Sequence, residues 1–277
     1  MIPTGTQDIL ITGPHRSGTT LACNLLNKIP NSVALNEPMS PVELFSRGPL
    51  CVPSKIWRFL SDQRNQILQN GTAKSKAANG EVPSNHLSDV KVNGSREYVL
   101  NGNEITVSNV SSVDFTLCVK QPAFFTAMVP LLSVKFSCFA IIRNPLAIIL
   151  SWRTAGMKVT EGRMPAAELS NPTLANLLDA EVDVLERQLI LLDFCFSQYR
   201  QFLPGRTIRY EEVIRSGGQA LEPIHPGARQ LNEPLVSRNS IGIRNDPAAR
   251  AIAERLLDHQ SACWSFYEKS EVEALLR

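Results

Sequence analysis

A glycine-bounded loop at residues 13–20, GPHRSGTT, constrains the fold of this chain more than any other segment. The apolar run at residues 8–12, DILIT, predicts a buried strand before it, and residues 17–29 predict a helix that begins inside it. Where a strand, a glycine turn and a helix N-terminus meet, unpaired backbone N–H groups and the helix dipole converge on one anion. The loop therefore predicts a P-loop-like phosphate-binding turn in an α/β fold.

One position separates this loop from the P-loop of nucleoside triphosphatases. The spacing follows G-x-x-x-x-G-K-[ST], but Thr19 stands where ATP- and GTP-using proteins have lysine. The positive charge lies earlier, at Arg16. The loop is thus suited to a phosphate group, but with its cation displaced from the usual position.

The alternation of apolar runs and helical patterns predicts the fold class. Strands are predicted at residues 8–12, 32–35, 115–119, 136–142 and 207–210, and helices at 17–29, 54–69, 123–133, 145–156, 173–201 and 247–260. Residues 70–93 are predicted to be a loop, and residues 97–100 and 104–107 a hairpin. Such alternation predicts a three-layer α/β fold: a mostly parallel sheet with helices on both faces, in one domain over residues 1–277.

Composition excludes several kinds of partner. The net charge of +2 is too small to predict nucleic acid or an anionic membrane as the main partner. No apolar stretch approaches the roughly 20 residues that span a bilayer, and the N-terminus lacks the pattern of a signal peptide. The six cysteines form no CxxC pair, so we expect reduced core thiols and no metal. These features favour a cytoplasmic location.

Charged residues follow three of the predicted strands, at the carboxyl ends of those strands. Glu37 follows the second strand, Lys120 follows the strand at 115–119, and Arg143 follows the strand at 136–142. Ligands of parallel sheets gather at the carboxyl ends of the strands. With Arg16 in the loop, the sequence predicts an anion site rich in cations, with one carboxylate beside it.

Several short motifs resemble those of sulfotransferases that use 3′-phosphoadenosine 5′-phosphosulfate (PAPS). In chain order they are RSGTTL at 16–21, like the 5′-phosphosulfate loop; CVKQP at 118–122, like the K-x-P strand end of tyrosylprotein and Golgi-type members; IRNP at 142–145 followed by Ser151, like the 3′-phosphate motif; and RYEE at 209–212, like the late R-Y-E-[DE] motif. The two phosphate motifs, in this order, are the more specific ones.

The resemblance implies transfer of a sulfuryl group from PAPS to a hydroxyl, or to an amine or carbamate nitrogen, of a small molecule, natural product or carbohydrate. Adenosine 3′,5′-bisphosphate is then the product, and no metal is needed. The nucleotide-binding residues implied are Arg16, Ser17, Gly18, Thr19, Thr20, Arg143, Ser151 and Tyr210. Arg16 and Lys120 would also stabilise charge in the transition state. Residues 39–114 are expected to form part of the acceptor pocket.

The general base is the feature of the motif pattern that differs within the family. Soluble steroid- and phenol-type members have a histidine in K-x-H-x-P, whereas this chain has Gln121 and Pro122 after Lys120. Glu37 lies 21 residues after Arg16 at the end of the second strand, similar to the glutamate of tyrosylprotein and several carbohydrate sulfotransferases. Glu37 is therefore the predicted base, and the nearby cations are expected to lower its pKa.

Two other functions fit parts of the pattern. A P-loop kinase or NTPase would need Mg²⁺ held by an acidic residue at the end of a neighbouring strand, but those strands are followed by Lys120 and Arg143. A non-catalytic nucleotide-binding protein would not need both Glu37 and Lys120. The sequence thus favours the sulfotransferase interpretation over either alternative.

Overall fold

The structure is a computed structural model that describes residues 8–92 and 95–277. Its strands are β1 (Asp8–Thr12), β2 (Ser32–Asn36), β3 (Thr72–Ala77), β4 (Leu87–Val92), β5 (Ser95–Tyr98), β6 (Gly102–Thr106), β7 (Thr116–Lys120), β8 (Ser137–Ile142) and β9 (Thr207–Arg209).

Its helices are α1 (Thr19–Leu26), α2 (Pro41–Phe45), α3 (Val52–Asn70), α4 (Pro122–Leu132), α5 (Pro145–Arg153), α6 (Pro165–Glu168), α7 (Pro172–Ala180), α8 (Val184–Phe202), α9 (Tyr210–Arg215), α10 (Asn239–Asn245), α11 (Ala249–Asp258) and α12 (Lys269–Ala274). Short 3₁₀ turns lie at Pro49–Cys51, Lys158–Glu161, Gln219–Leu221, Pro226–Gln230 and Ala262–Ser265. Among the residues described, no helix has both the length and the hydrophobicity needed to cross a membrane.

A parallel sheet of five strands, in the order β2-β7-β1-β8-β9, forms the centre of the molecule. Ile9, Leu10 and Ile11 of the central strand are buried, as a parallel sheet covered on both faces requires. The predicted α/β fold class is confirmed. The predictions of these five strands are confirmed to within one residue at each end.

Chain direction assigns the helices to the two faces. From β1 the chain moves through α1 to the β2 edge, whereas α4 and α8 lead towards the β9 edge, and right-handed crossovers place these two groups on opposite faces. On the α4 face, the Thr126 hydroxyl lies 2.7 Å from the hydroxyl of Thr12 in β1 and 2.6 Å from that of Tyr199 in α8. This buried network joins the sheet to two helices of the same face.

The segment between α3 and β7 differs from its prediction. Residues 70–92 do not form a loop, because they contain β3 and β4 (residue 93 lies outside the described residues). The hairpin predicted between 97–100 and 104–107 is also wrong, since β6 pairs with β3 and β5 pairs with β4. Only small residues of β3, at positions 73, 75 and 77, face inward, so the strand TAKSKA carries almost no hydrophobic signal.

Two further segments differ from their predictions. The single helix predicted over 173–201 is divided into α7 and α8 at residues 181–183, where the Asp183 carboxylate accepts hydrogen bonds from the first N–H groups of α8. Tyr210 does not extend β9 but begins α9, which turns its ring towards the loop after β1. Side-chain capping therefore outweighs a continuous apolar pattern.

The cysteines lie where core thiols were expected. All six are free, and all except the half-buried Cys51 are buried. Burial raises the pKa of Cys23 and of Cys138 to about 12, so these thiols are neutral at physiological pH.

Arg64 of α3 connects Asp8, the first residue of β1, with Phe115, which directly precedes β7. This contact provides a test of stability. Its Nε and Nη2 atoms donate to Asp8 Oδ1 at 3.0 and 2.6 Å, and its Nη1 donates to the Phe115 carbonyl at 2.7 Å. We expect Arg64→Met to lower the free energy of unfolding by about 2–3 kcal/mol, because the partly buried Asp8 carboxylate and the buried Phe115 carbonyl lose their donor. Urea denaturation measures this change.

The matched control is Arg58→Met on the same helix. The Arg58 side chain is 84% exposed and lies 4.0 Å from Asp62, so its removal should cost less than about 0.5 kcal/mol. Equal losses in the two variants would contradict a structural role for Arg64.

Candidate active site

The loop after β1 has the backbone geometry of an anion site. Ser17 N donates to Pro14 O at 3.1 Å, which closes the turn, and Gly18 caps α1 with a φ of 94°. A Cβ on Gly18 would lie 2.6 Å from Cδ2 of Tyr210. Glycine is therefore required here both by the left-handed backbone and by the aromatic ring packed against it.

The Ser17 hydroxyl and the N-terminus of α1 lack side-chain partners within the described protein. The Ser17 hydroxyl is buried and has no hydrogen-bond partner among the described residues. No side chain in the described part of the chain caps α1, and its first turn carries no acidic residue. Buried hydroxyls normally have a partner, so this loop is suited to an anionic ligand at the N-terminus of α1.

Lys120 and Glu37 meet at the ends of two adjacent strands. The parallel register pairs Asn36 with Lys120, and Glu37 N donates to Lys120 O at 2.8 Å. Lys120 Nζ donates to Glu37 Oε1 at 2.6 Å, to Asn36 Oδ1 at 3.1 Å and to Thr20 Oγ1 at 3.2 Å. Because the Lys120 side chain is 2% exposed, this ammonium group is held in one position by its acceptors.

A second lysine contacts the same carboxylate. Lys76 of β3 donates from Nζ to Glu37 Oε2 at 2.7 Å. Burial alone would raise the pKa of Glu37, but the Lys120 and Lys76 ammonium groups hold that pKa well below its usual range. Glu37 is therefore ionised at neutral pH, which agrees with the lowered pKa predicted from its nearby cations.

His86 lies beside this pair, and its tautomer follows from its neighbours. Asn36 Nδ2 donates to the Lys76 carbonyl at 3.1 Å, so Asn36 Oδ1 accepts from Lys120 and, at 2.9 Å, from His86 Nε2. His86 Nδ1 then faces Glu37 Oε1 at 4.0 Å. Burial lowers the pKa of His86 to about 2 and that of His15 to about 4, so both are neutral at pH 7.

Arg143 is fixed at the end of β8. Its Nε donates to Asn239 Oδ1 at 2.7 Å, and its Nη1 donates to the Arg16 carbonyl at 3.0 Å. The guanidinium carbon lies 4.8 Å from the centre of the Tyr210 ring. Arg143 is thus connected to the anion-binding loop and to the RYEE segment at once.

Glu211 supports this arginine indirectly. Its carboxylate accepts from Asn239 Nδ2 at 2.8 Å, from the Asn144 backbone N–H at 2.9 Å and from the Tyr267 hydroxyl at 2.9 Å. Because Asn239 in turn accepts from Arg143, Glu211 positions the guanidinium through one intermediate side chain. The RYEE segment therefore contributes Tyr210 as a stacking surface and Glu211 as a positioning residue.

Backbone strain is concentrated at two predicted site residues. Among the described non-glycine residues, positive φ occurs at Arg16 (70°) and Glu37 (46°) and at two asparagines, a residue type that tolerates this region. Arg16 Nε donates to Ser151 Oγ at 3.2 Å, and its Nη1 donates to Asn85 Oδ1 at 3.1 Å. Strained non-glycine residues cluster at functional sites, which independently supports Arg16 and Glu37 as site residues.

These side chains surround a cavity of about 300 Å³. The predicted site residues all line it except Ser17, which is buried within the loop, and Ser151, whose hydroxyl contacts Arg16. The structure therefore brings the residues predicted from four separate motifs to one place.

Sequence reasoning missed several residues of this cavity. Asn85 and His86 line it, Lys76 contacts Glu37 from β3, and Arg238 donates its backbone N–H to the Tyr210 hydroxyl at 3.1 Å. Each lies in a segment whose position depends on tertiary contacts, and no motif marks it. Only Asn36 carried a signal, because it directly precedes Glu37 at a strand end.

Comparisons with known proteins add little to this geometry. No model of a known protein family matches the chain, and no curated protein matches it in sequence. Among solved structures, the chain is similar to the sulfotransferase STF1 from Mycobacterium tuberculosis H37Rv, with 14% sequence identity and a TM-score of 0.34. The match covers 98% of this chain and 76% of that one. At this level the similarity carries no argument about function, which must rest on the site itself.

The buried neutral histidines predict acid sensitivity. The unfolded chain protonates a histidine below about pH 6.5, but the folded pKa values of His15 and His86 are about 4 and about 2. Their contribution to stability is therefore complete above pH 6.5 and is lost as the pH falls, at about 1.4 kcal/mol per pH unit for each proton. His86→Gln retains a donor for Asn36. This variant should therefore lose about 1 kcal/mol less of its free energy of unfolding than the wild type between pH 6 and 5. Urea denaturation at both pH values measures it; identical slopes would contradict a buried neutral His86.

Proposed function

We propose that the chain is a sulfotransferase that moves a sulfuryl group from PAPS to a hydroxyl of a small-molecule or carbohydrate acceptor. One observation carries the proposal: Arg16, Lys120 and Arg143, which come from a loop and two strand ends, converge on one cavity that also contains the ionised carboxylate of Glu37. Such a site binds a polyanion and can accept a proton from a substrate.

The loop fits the 5′-phosphosulfate of this donor. The Ser17 hydroxyl and the N-terminus of α1, which no described side chain caps, supply donors for one phosphate, together with the hydroxyls of Thr19 and Thr20. PAPS supplies the activated sulfuryl group, whose leaving group is a phosphate oxygen. The donor set therefore has the chemistry that this end of the nucleotide requires.

Arg143 is the proposed ligand of the 3′-phosphate. A guanidinium presents a planar fork that suits bidentate contact with phosphate, and here the fork is fixed by Asn239 and by stacking over Tyr210. Ser151 is proposed to add a hydroxyl on the same side. Its present contact with Arg16 Nε joins the two proposed phosphate sites.

Arg16 and Lys120 are the proposed transition-state stabilisers. Sulfuryl transfer, like phosphoryl transfer, develops charge on the transferred group and on the leaving oxygen, and fixed cations lower the barrier. Lys120 already contacts Thr20 in the first turn of α1, which places its ammonium group between the loop and Glu37. Lys120 can thus contact both the PAPS donor and the proposed base, Glu37.

Glu37 is the proposed general base, and its ion pairs regulate its strength. With Lys120 and Lys76 on its two oxygens, the carboxylate is a weak base in the resting protein. When the anionic donor PAPS competes for Lys120, the pKa of Glu37 would rise towards the range in which this carboxylate accepts a proton. Lys76 would remain and hold the second oxygen in place.

A P-loop kinase or NTPase is the alternative, and the geometry does not favour it. Such enzymes hold Mg²⁺ with a carboxylate at the end of a strand beside the loop. The strands on either side of β1 are β7 and β8, and they lead into Lys120 and Arg143. Cations at these positions oppose a metal ion and favour an unmetallated anionic nucleotide.

We expect sulfo transfer from PAPS in the presence of EDTA, detected by mass spectrometry across a panel of acceptors. Glu37→Gln keeps the shape of the side chain but cannot take a proton, so kcat on an alkyl alcohol should fall by about 10²–10⁴-fold. An acceptor that is already ionised at the assay pH, such as 4-nitrophenol, should be substantially rescued.

Glu43→Gln, at an exposed position of helix α2, is the matched control and should retain wild-type kcat. Equal losses of Glu37→Gln on both acceptors would assign Glu37 a positioning role instead of proton transfer. A requirement for a divalent cation, with ATP in place of PAPS, would favour the kinase alternative.

Arg143→Ala should weaken binding of adenosine 3′,5′-bisphosphate by about 2–4 kcal/mol, because a fixed charged contact to phosphate is removed. Isothermal titration calorimetry measures the affinity directly. The matched control is Arg153→Ala on α5, whose partner is Asp246, and it should leave the affinity within about twofold of wild type. Unchanged affinity in Arg143→Ala would remove the main support for the nucleotide assignment.

A further inference from the structure

A second cavity of about 620 Å³ adjoins the proposed active site. His15 and Met157 line both cavities, so the two spaces meet at these side chains. Tyr98 lines the second cavity, and the Glu37 carboxylate adds to the effect of burial in raising the pKa of the Tyr98 phenol. Because Glu37 lines the first cavity, the shared side chains of His15 and Met157 place the second cavity next to the one that holds the proposed base.

The wall of this cavity is largely apolar. Ala123 from α4, Val159 and Met164 from the segment after α5, and Pro165 and Ala166 of α6 contribute to it. Its volume lies within the range of cavities that bind small organic molecules, roughly 300–1,000 Å³. A ligand here would gain mainly from removing its own apolar surface from water.

The charged residues along this cavity are paired with other protein groups. Lys158 donates to Glu161 at 3.0 Å, and Arg163 forms ion pairs with Glu168 and, at 2.5 Å, with Asp179. An anionic ligand would have to compete with these carboxylates for each cation. A sugar would have to leave several hydroxyls against apolar walls, where unpaired polar groups are costly.

We propose that this second cavity holds the body of the acceptor, and that the acceptor is an uncharged, largely hydrocarbon alcohol or phenol. This inference rests on the proposed function. The acceptor hydroxyl reaches past His15 and Met157 to Glu37. Its oxygen forms a new bond to sulfur, the bond from sulfur to the 5′-phosphate oxygen breaks with its electron pair on that phosphate, and the hydroxyl proton passes to Glu37.

Kinetics on a series of acceptors tests the chemistry of this cavity. With PAPS as donor, kcat/KM should rise about two- to fourfold per methylene from n-butanol to n-octanol, because each methylene is transferred from water to an apolar wall. Methyl glucoside and glucuronate should react at least about 100-fold more slowly than n-octanol. A flat response to chain length, or preference for either sugar, would overturn the proposal while leaving sulfo transfer intact.

Filling the cavity tests its location. Ala166→Phe should raise KM for n-octanol at least about tenfold more than KM for n-butanol, whereas Ala251→Phe, on the exposed face of α11, should change neither. Because Ala166→Phe can also disturb folding, Met157→Ala is the second variant: it widens the junction and should improve branched alcohols relative to n-octanol. Unchanged selectivity in both folded variants would place the acceptor elsewhere.

A binding measurement separates failure of this inference from failure of the proposed function. Calorimetry of 2-naphthol with the wild-type protein and adenosine 3′,5′-bisphosphate requires no turnover. Binding that is lost in Ala166→Phe supports the apolar cavity even if no acceptor is sulfated, in which case only the proposed function fails. No binding of 2-naphthol, together with sulfo transfer to another class of acceptor, would overturn the cavity assignment and retain the function.

Discussion

The buried ion pair between Lys120 and Glu37 is the interaction on which the rest of the site depends. It joins the ends of two adjacent parallel strands, and the Lys120 side chain is almost fully removed from water. Burying such charges costs several kcal/mol unless other groups compensate. Here Asn36 and Thr20 accept from the ammonium group, and Lys76 donates to the second carboxylate oxygen. Removal of Glu37 would leave the buried ammonium group of Lys120 without a carboxylate partner.

The parallel sheet explains why these charges meet. Neighbouring strands of the sheet end at one edge, so Lys120, Glu37 and Arg143 are brought beside the loop after β1 by register alone. The small sheets between α3 and β7 then cover one side of the cavity and add Lys76 and His86. The result is one carboxylate surrounded by fixed cations, which is the charge distribution that a polyanionic donor and a proton-losing acceptor require.

Sequence predicted the sheet and the strand ends well for a physical reason. β1, β7 and β8 are buried on both faces, so each is a continuous apolar run that ends at a charged or polar residue. The glycine loop was equally clear, because a left-handed Gly18 against an aromatic ring tolerates no substitution of Cβ size. The sequence alone therefore predicts that Arg16, Glu37, Lys120 and Arg143 lie at one edge of the sheet.

The remainder of the site could not be predicted, because long-range contacts decide it. Lys76 lies in a strand of small and polar residues, and its contact with Glu37 spans 39 positions of the chain. His86 follows a turn and reaches Asn36 across 50 positions, with no neighbouring residue that marks it. The role of Glu211 is similarly indirect, since it acts on Arg143 through Asn239. Residues that support a site from other segments leave little local pattern.

Calorimetric binding of nucleotides to the wild-type protein, with EDTA present, tests most directly whether these cations form a site for a doubly phosphorylated, unmetallated nucleotide. Adenosine 3′,5′-bisphosphate should bind, and adenosine 5′-monophosphate should bind at least about tenfold more weakly, because it lacks the 3′-phosphate that Arg143 is proposed to contact. Equal affinity for the two nucleotides, or tight binding of ATP only when Mg²⁺ is added, would contradict this account.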